Sequence, residues 1–537
     1  PMGASFFPGI TPIPEYQLGY GVMRSHEDGR PMHGDPVVAE KELVFPTPTP
    51  GPNEALVYIL ASEMNFNDIW AITGIPVSPF DARDADVQIT GSGGVGMVAQ
   101  LGQDLVREGR LSVGDIVSIY SGQSELMAPD QGLDPMAADF RIQGYERNDG
   151  SHAQFLTVQG PQLHAKLPGL SIEEAGSYGL TMGTIHRALY NTLAIEPGKR
   201  LFVEGASTGT GYDCLRSALS SSCAALGMVS SDSRGERVEA VGGHAINRKD
   251  DRWADIFTAV PDDPSEWAAW EAAGEAFVAE AEKKVGGQID YSVSHAGETA
   301  FPRSFQLLGE DGVLTFYGAS SGYRFTFIGK AGASTPAAQF SKAGLRAGQS
   351  LLVVYGPGAE DGIVDPVAIE AIEVGCQRGA QVAVLVDTVS QREFVTSLGF
   401  GAQMKGVVSI EEIERRLGDE FDPPGPFQQM PNPFTESAAF KESVRAFSDR
   451  TLKPIGSAIA PLLRNTLDKR GLPDVVFERA GRDGLALATS LVKPNVGKIV
   501  YSEDLKGSRF SFYAPQVWMR QRRILMPTAE ILSLIHI

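Results

Sequence analysis

The sequence predicts an α/β chain: a β-rich, barrel-type N-terminal domain followed by two duplicated, doubly wound units. Three observations predict it. Up to about residue 170, short strand-forming runs are punctuated by proline and glycine, the pattern of a small barrel. The run Leu201-Phe202-Val203-Glu204-Gly205-Ala206-Ser207-Thr208-Gly209-Thr210-Gly211 then passes from a buried-type strand through glycines into a helix-like stretch, the sequence form of a nucleotide loop. Finally, this unit returns. Gly287-Gln288-Ile289-Asp290-Tyr291-Ser292-Val293-Ser294-His295-Ala296-Gly297 matches Gly471-Leu472-Pro473-Asp474-Val475-Val476-Phe477-Glu478-Arg479-Ala480-Gly481 without a gap, and Gly322-Tyr323-Arg324-Phe325-Thr326-Phe327 matches Gly507-Ser508-Arg509-Phe510-Ser511-Phe512.

These boundaries divide the chain into residues 1–196 (barrel-type), 197–345 (nucleotide-binding), 346–523 (a second, degenerate unit) and 524–537 (a truncated tail). The bulk numbers agree: 537 residues allow several domains, and 42% hydrophobic residues can fill several cores. The net charge of −20 argues against general binding of nucleic acid or membrane surfaces. No stretch is long and apolar enough to span a bilayer, and no secretory signal pattern is present. Cys214, Cys223 and Cys376 have no metal-like spacing, which suggests a reducing, cytoplasmic setting.

In the barrel-type domain, Glu54-Ala55-Leu56-Val57-Tyr58-Ile59-Leu60 and Ile116-Val117-Ser118-Ile119 read as strands. Gly91-Ser92-Gly93-Gly94-Val95-Gly96 imitates a nucleotide loop. A strand-like run follows it instead of a helix, so the anion site would lack its dipole, and a structural turn is predicted. Ile172 to Leu193 reads as a helix, with Ser171 and Glu174 spaced as a capping box, and it carries Thr181, Thr184 and His186.

The α/β unit then begins. Glycines 205, 209 and 211 let backbone N–H groups approach a pyrophosphate, and the next helix adds its positive N-terminus, with Ser207 and Thr208 in the same loop. The second strand ends in Ser230-Ser231-Asp232-Ser233-Arg234. Hydroxyls and a guanidinium suit a 2′-phosphate better than a ribose hydroxyl, so NADPH is expected over NADH, with Asp232 the one residue against. An acidic, tryptophan-bearing insert over roughly residues 250–285 reads as helical.

In the second unit Leu352-Val353-Val354-Tyr355-Gly356 repeats the strand, but the loop Gly356-Pro357-Gly358-Ala359-Glu360-Asp361-Gly362 loses a donor at Pro357 and gains two carboxylates. A structural copy is expected, although Asp387 could hold a ribose. The terminal Leu532-Ser533-Leu534-Ile535-His536-Ile537 reads like translated adapter sequence and is set aside from the fold.

At these residues the chain resembles the medium-chain dehydrogenase/reductase superfamily, and within it the crotonyl-CoA carboxylase/reductase branch. Met64-Asn65-Phe66-Asn67-Asp68-Ile69-Trp70, Gly144-Tyr145-Glu146, Ala206-Ser207-Thr208-Gly209, Val229-Ser230-Ser231 and Trp518-Met519-Arg520 carry the resemblance. The duplicated unit makes it similar to the enoyl-CoA reductase part of propionyl-CoA synthases. The resemblance implies a GroES-like barrel and two Rossmann-type units. It implies NADPH-dependent reduction of a short 2-enoyl-CoA, acrylyl-CoA to propionyl-CoA, by hydride transfer to the β-carbon and protonation of the enolate. Asn67, Tyr145 and Glu146 fall at the relatives' active-site positions, and Thr184 joins the cofactor contacts. Thr528 falls where carboxylating relatives keep a histidine, implying poor carboxylation. Cysteine ligands of the zinc-dependent members are absent before residue 214, so no metal is expected. An acyl-CoA thioester is the expected partner, with CoA ligase and enoyl-CoA hydratase domains of a longer chain, and a homo-oligomer is compatible with the resemblance. Three other readings are open: a quinone or enone oxidoreductase, a carboxylase/reductase proper, and a non-catalytic scaffold.

Overall fold

The computed structural model describes residues 6–75, 78–81, 85–124, 140–207, 209–330, 334–355, 365–424, 437–464, 469–479, 484–494, 497–501, 509–518, 523–526 and 528–533. The chain divides into two compact units, residues 1–184 and 185–536.

The first unit is antiparallel β. Its strands are β1 (Tyr16–Met23), β2 (Lys41–Pro46), β3 (Glu54–Ala61), β4 (Val87–Ile89), β5 (Gly94–Leu101), β6 (Ile116–Ile119), β7 (Gly122–Gln123), β8 (Arg141–Ile142), β9 (Phe155–Gln159) and β10 (Leu163–Ala165). They form sheets ordered β2-β1-β4, β10-β6-β5-β3-β9 and β7-β8. Val57, Val98, Val117, Leu156 and Val158 point from the five-stranded sheet into one apolar cluster. The decoy loop runs straight into β5, as its sequence predicts, so it has no helix to offer an anion. In the helix Ile172–His186, Ser171 and Glu174 cap each other: the Ser171 N–H donates to Glu174 at 2.8 Å and the Glu174 N–H to the Ser171 hydroxyl at 3.1 Å.

The second unit is built on one twelve-stranded sheet. Its strands are β11 (Arg200–Val203), β12 (Ala224–Val229), β13 (His244–Asn247), β14 (Ile289–Ser294), β15 (Leu308–Phe316), β17 (Ser350–Val354), β18 (Gln381–Val386), β19 (Met404–Ser409), β20 (Val475–Glu478), β21 (Lys498–Tyr501), β23 (Arg523–Leu525) and β24 (Ala529–Ser533). A separate antiparallel pair, β16 (Arg324–Ile328) and β22 (Arg509–Tyr513), lies outside it. The order is β13-β12-β11-β14-β15-β24-β23-β21-β20-β17-β18-β19. The inner strands β11, β17 and β18 are short apolar runs buried on both faces, as parallel strands covered by helices must be. All neighbours are parallel except β23 and β24 at the centre.

Read from either edge, the order is therefore the same, and the two halves meet at one antiparallel pair. The β16–β22 register has the same property. The matched repeats equate Thr326 with Ser511, and these two residues face each other, with Phe325 opposite Phe512 and Phe327 opposite Phe510. Such self-matching is the signature of an isologous contact. Phe301, Phe316, Phe325 and Phe512 fill the space around it, ring centroids 4.4–5.8 Å apart.

One expectation is corrected here. The tail from residue 524 is not outside the fold. Ile524 and Leu525 sit in β23, and the set-aside Leu532 and Ser533 end β24, paired with Thr315 and Phe316 of β15. Ile524, Ile531 and Leu532 are buried, so the apolar character that made the run look foreign is what the sheet centre requires. The acidic insert forms helices Trp267–Ala273 and Glu275–Val285. Buried Arg303 ties it down: the guanidinium lies 3.5 Å from the Trp270 ring centre and donates to the carbonyls of Ile256 and Trp270. Removing it in Arg303→Ala orphans those carbonyls and the stack, and is expected to cost about 3 kcal/mol, read as a lowered thermal midpoint. Among the described residues no helix is long and apolar enough to cross a membrane.

Candidate active site

In the second unit the strand order steps from β12 through β11 to β14, so the crevice past the carboxyl ends of β11 and β14 is the switch point of an open α/β sheet. Gly205 has φ +56°, and a Cβ on Gly211 would stand 2.5 Å from the Gly205 carbonyl oxygen. Only glycine lets the helix Gly209–Ser220 start this close to the strand, with its N–H groups facing the crevice. No acidic residue lies in the first turn of that helix, so the positive end is free to meet an anion. Ser207 is buried in the same loop, and Thr208 lies outside the described residues.

Glu204, wholly buried at the end of β11, fixes the far wall. Its carboxylate accepts the backbone N–H of His295 at 2.9 Å, that of Ala296 at 2.6 Å, and the Ser304 hydroxyl. The His295 ring returns a bond from Nε2 to the Glu204 carbonyl at 2.7 Å and stacks on Tyr317, centroids 5.5 Å apart. Burial pushes the Tyr317 phenol well up. The motif reading passed over Glu204 and His295, although an acid inside a buried strand run was a visible signal.

At the end of β12, exposed Arg234 donates to the hydroxyl of half-buried Ser230 at 2.9 Å. The Ser231 hydroxyl accepts the Arg234 N–H as helix cap, so its lone pairs serve the helix Asp232–Glu239. Asp232, the residue that spoke against a 2′-phosphate, accepts from the Asn247 side-chain amide at 2.9 Å and is turned to β13. Thr184 is buried and donates its hydroxyl to the Leu180 carbonyl of its own helix at 2.8 Å, which leaves it only lone pairs to offer.

The second copy handles the same place differently. Asp365 caps the helix Pro366–Gln377, accepting from the Val367 and Ala368 N–H groups, and pairs with buried Arg479, which stands where the first copy has His295. The helix start that would seat a phosphate already holds a carboxylate. The loop at residues 356–364, with Glu360 and Asp361, lies outside the described residues. Burial raises the Asp387 carboxyl.

In the first unit the structure brings Asn67, Tyr145 and Glu146 onto one clamp. Asp68, wholly buried in the helix Phe66–Thr73, accepts the Asn65 N–H at 2.6 Å and the Gly91 N–H at 2.9 Å. Gly91 in turn touches Gly144, whose φ is +75° and whose Cβ would stand 2.1 Å from the Gly91 oxygen. The turn after β8 closes on itself: the Glu146 N–H donates to the Ile142 carbonyl at 2.8 Å, and the Ile142 N–H to Glu146 Oε2 at 3.0 Å. Burial raises the Glu146 carboxyl, opposed in part by that N–H. Tyr145 is buried. Asn67 is 4% exposed, and its side-chain Nδ2 finds no acceptor among the described residues. A buried unpaired donor calls for a reason, and the Asn65 amide at the cap of the same helix shares the condition.

Thr528 is corrected. Its carbonyl accepts the Asp311 N–H at 2.7 Å, at the amino end of β15, whereas the crevice lies at the carboxyl ends of the strands. It carries no argument about carboxylation. Arg520 and Arg522 lie outside the described residues. Among the described residues no group of three His, Cys, Asp or Glu side chains is placed to hold a metal.

No family model matches the chain. The chain is 32% identical to a crotonyl-CoA carboxylase/reductase of Cereibacter sphaeroides over 337 residues, 60% of this chain and 74% of the relative. It is 30% identical to a crotonyl-CoA reductase of Streptomyces collinus, over 52% of this chain and 64% of that one. Among solved structures, a crotonyl-CoA carboxylase/reductase superposes with a TM-score of 0.53 at 31% identity, covering 59% of this chain and 73% of that one. Another, in complex with NADP, gives 0.52 at 26% identity, covering 59% of this chain and 79% of that one.

Proposed function

Because the chain belongs to the crotonyl-CoA carboxylase/reductase family, we propose that it reduces a short-chain 2-enoyl-CoA with NADPH. Acrylyl-CoA, giving propionyl-CoA, is the substrate we put first. The barrel-type unit acts as a GroES-like catalytic domain, and the mirrored sheet is a duplicated Rossmann-type pair of which the first copy works. The observation that carries the reading is Asn67: a buried amide donor without a partner among the described residues, next in the helix to Asp68, whose bond to Gly91 leads on to the turn that carries Tyr145 and Glu146.

The first crevice fits the cofactor. Gly205 and Gly211 bring the helix N-terminus to a pyrophosphate, and the hydrogen-bonded Ser230–Arg234 pair offers a hydroxyl and a guanidinium to a 2′-phosphate. When bound, NADPH supplies the hydride. Asn67 donates to the thioester oxygen as it gains charge in the enolate. Glu146, kept protonated over a wider range by burial, delivers the proton to the α-carbon. Tyr145 shields the site from water. The second copy, its helix start taken by Asp365 and Arg479, serves as structure.

The test is NADPH oxidation, followed by absorbance, with acrylyl-CoA, crotonyl-CoA and a free quinone. A rate with the thioesters and none with the quinone supports the reading, and the reverse selects the quinone or enone oxidoreductase. Failure of NADPH to bind would favour the scaffold reading. The family name itself favours a second outcome, capture of CO₂ by the enolate, which bicarbonate in the assay scores as a carboxylated product. The similarity to propionyl-CoA synthases predicts that CoA ligase and hydratase domains feed this reductase. Asn67→Ala is expected to lower kcat about 100-fold, as loss of one oxyanion donor does elsewhere. Arg234→Ala is expected to lower kcat/KM for NADPH about 10- to 100-fold and leave NADH use unchanged, because only the phosphate contact is removed.

A further inference from the structure

Behind the Asn67 clamp lies a hydrogen-bond chain that the proposed chemistry does not use. The Thr90 hydroxyl is 2.6 Å from Glu40 Oε1 and 2.9 Å from His152 Nδ1, and His152 Nε2 is 2.9 Å from the Glu63 carbonyl. A carbonyl only accepts, so Nε2 carries a hydrogen. The hydroxyl has one proton for its two near neighbours, the Tyr20 carbonyl at 3.4 Å being the longest and weakest of its three contacts. If it goes to Glu40, His152 Nδ1 must bring its own; if it goes to Nδ1, Glu40 must be protonated. Either way the chain holds one proton more than a neutral ring and an ionised carboxyl would.

The surroundings place that proton. Burial pushes the carboxyl of wholly buried Asp68 up, and a charge on His152 together with the Asn65 and Gly91 N–H groups that its oxygens accept pulls it back down. The other titratable groups around the chain are Glu40, Tyr20, whose carbonyl lies 3.4 Å from the Thr90 hydroxyl, and Glu63, which gives the ring its backbone carbonyl. An imidazolium is the arrangement that sets a positive charge beside buried Asp68. Resting on the proposed enoyl-CoA reduction, we infer that His152 is a positioning residue: held as an imidazolium through Thr90 and Glu40, it keeps Asp68 ionised, and Asp68 holds Asn67 and the Gly91–Gly144 contact in place.

Thr90→Val removes the hydroxyl at nearly constant volume, whereas Thr90→Ser keeps it. The full chain is labelled with ¹³Cε1-histidine, and the His152 signal is assigned by its loss in His152→Gln. At pH 7.5 the wild type and Thr90→Ser are expected to show an imidazolium shift and Thr90→Val a neutral-ring shift. A neutral ring in the wild type, or one shift in all three, overturns the inference whatever the substrate. In the thioester assay, Thr90→Val is expected to move the alkaline limb of kcat/KM about one pH unit lower than in Thr90→Ser, a tenfold loss on that limb. A uniform loss at every pH would make the hydroxyl merely structural. Absence of any thioester turnover in the wild type would defeat the proposed function and leave the histidine signals to decide the relay.

Discussion

Gly144→Ala is expected to reduce thioester-dependent NADPH oxidation by about 100-fold or more, with the loss in kcat rather than in cofactor affinity. The reason is local and steric. Gly144 sits at φ +75°, where an L side chain is strained by about 1–3 kcal/mol, and the added methyl would stand 2.1 Å from the Gly91 carbonyl oxygen, a backbone atom that cannot rotate away. Gly91 cannot retreat freely either, because its N–H is bonded to buried Asp68. Relief therefore has to come from the turn that carries Tyr145 and Glu146 or from the helix that carries Asn67. A shift of about 1 Å in either is enough to cost two orders of magnitude in rate. Apart from Thr184, NADPH binds through residues after 200 in the proposed reading, so its dissociation constant should stay within about threefold. Steady-state kinetics together with a fluorescence titration of NADPH separate the two. Equal loss of cofactor affinity would mean that Gly144 stabilises the protein as a whole and has no special tie to the clamp.

What the sequence made legible follows from where each residue acts. The first two strands of the first α/β half, the capping box at Ser171 and the strand that follows the decoy loop are local matters, set by runs of a few residues, and each lies where its sequence places it. The second half was visible because its residues repeat those of the first. The joining of the halves was not. It depends on β24, which crosses from the end of the chain to lie against β15, and no local pattern announces a partner more than 200 residues away. The same distinction runs through the site. Ser230 and Arg234 are four residues apart, so their contact could be foreseen. Asp68 and Gly91, Glu204 and His295, and Thr90 and His152 meet only in the folded chain. In each case the sequence showed an acid or a histidine in an apolar setting without showing its partner. The mirrored sheet also leaves neither half with an open inner edge. A sheet ending at β15 would expose a row of unpaired backbone groups, and the second half covers that edge within one chain.

Glu204→Ala is expected to be the most destabilising single substitution in the nucleotide-binding half. The carboxylate is wholly buried and serves three donors, the His295 and Ala296 N–H groups and the Ser304 hydroxyl. Alanine leaves all three without that acceptor, the Ser304 hydroxyl in the buried core and the two N–H groups part-buried. At about 1–3 kcal/mol for each orphaned donor the cost is about 5 kcal/mol, which for a unit of this size corresponds to a fall of roughly 10 °C in the thermal midpoint. Glu204→Gln keeps one acceptor oxygen and the volume, and is expected to lose about half as much. The consequence for binding comes from the same bonds. His295 and Ala296 form the wall of the crevice opposite Gly205, and the His295 ring is anchored to the Glu204 carbonyl. Once their N–H groups are free, that wall can close over the glycine loop, so NADPH affinity should fall about tenfold even at temperatures where the alanine variant is still folded. Differential scanning calorimetry in the absence and presence of NADPH measures both effects. A variant that melts lower but is stabilised by NADPH as much as the wild type would show that Glu204 supports the sheet and not the crevice.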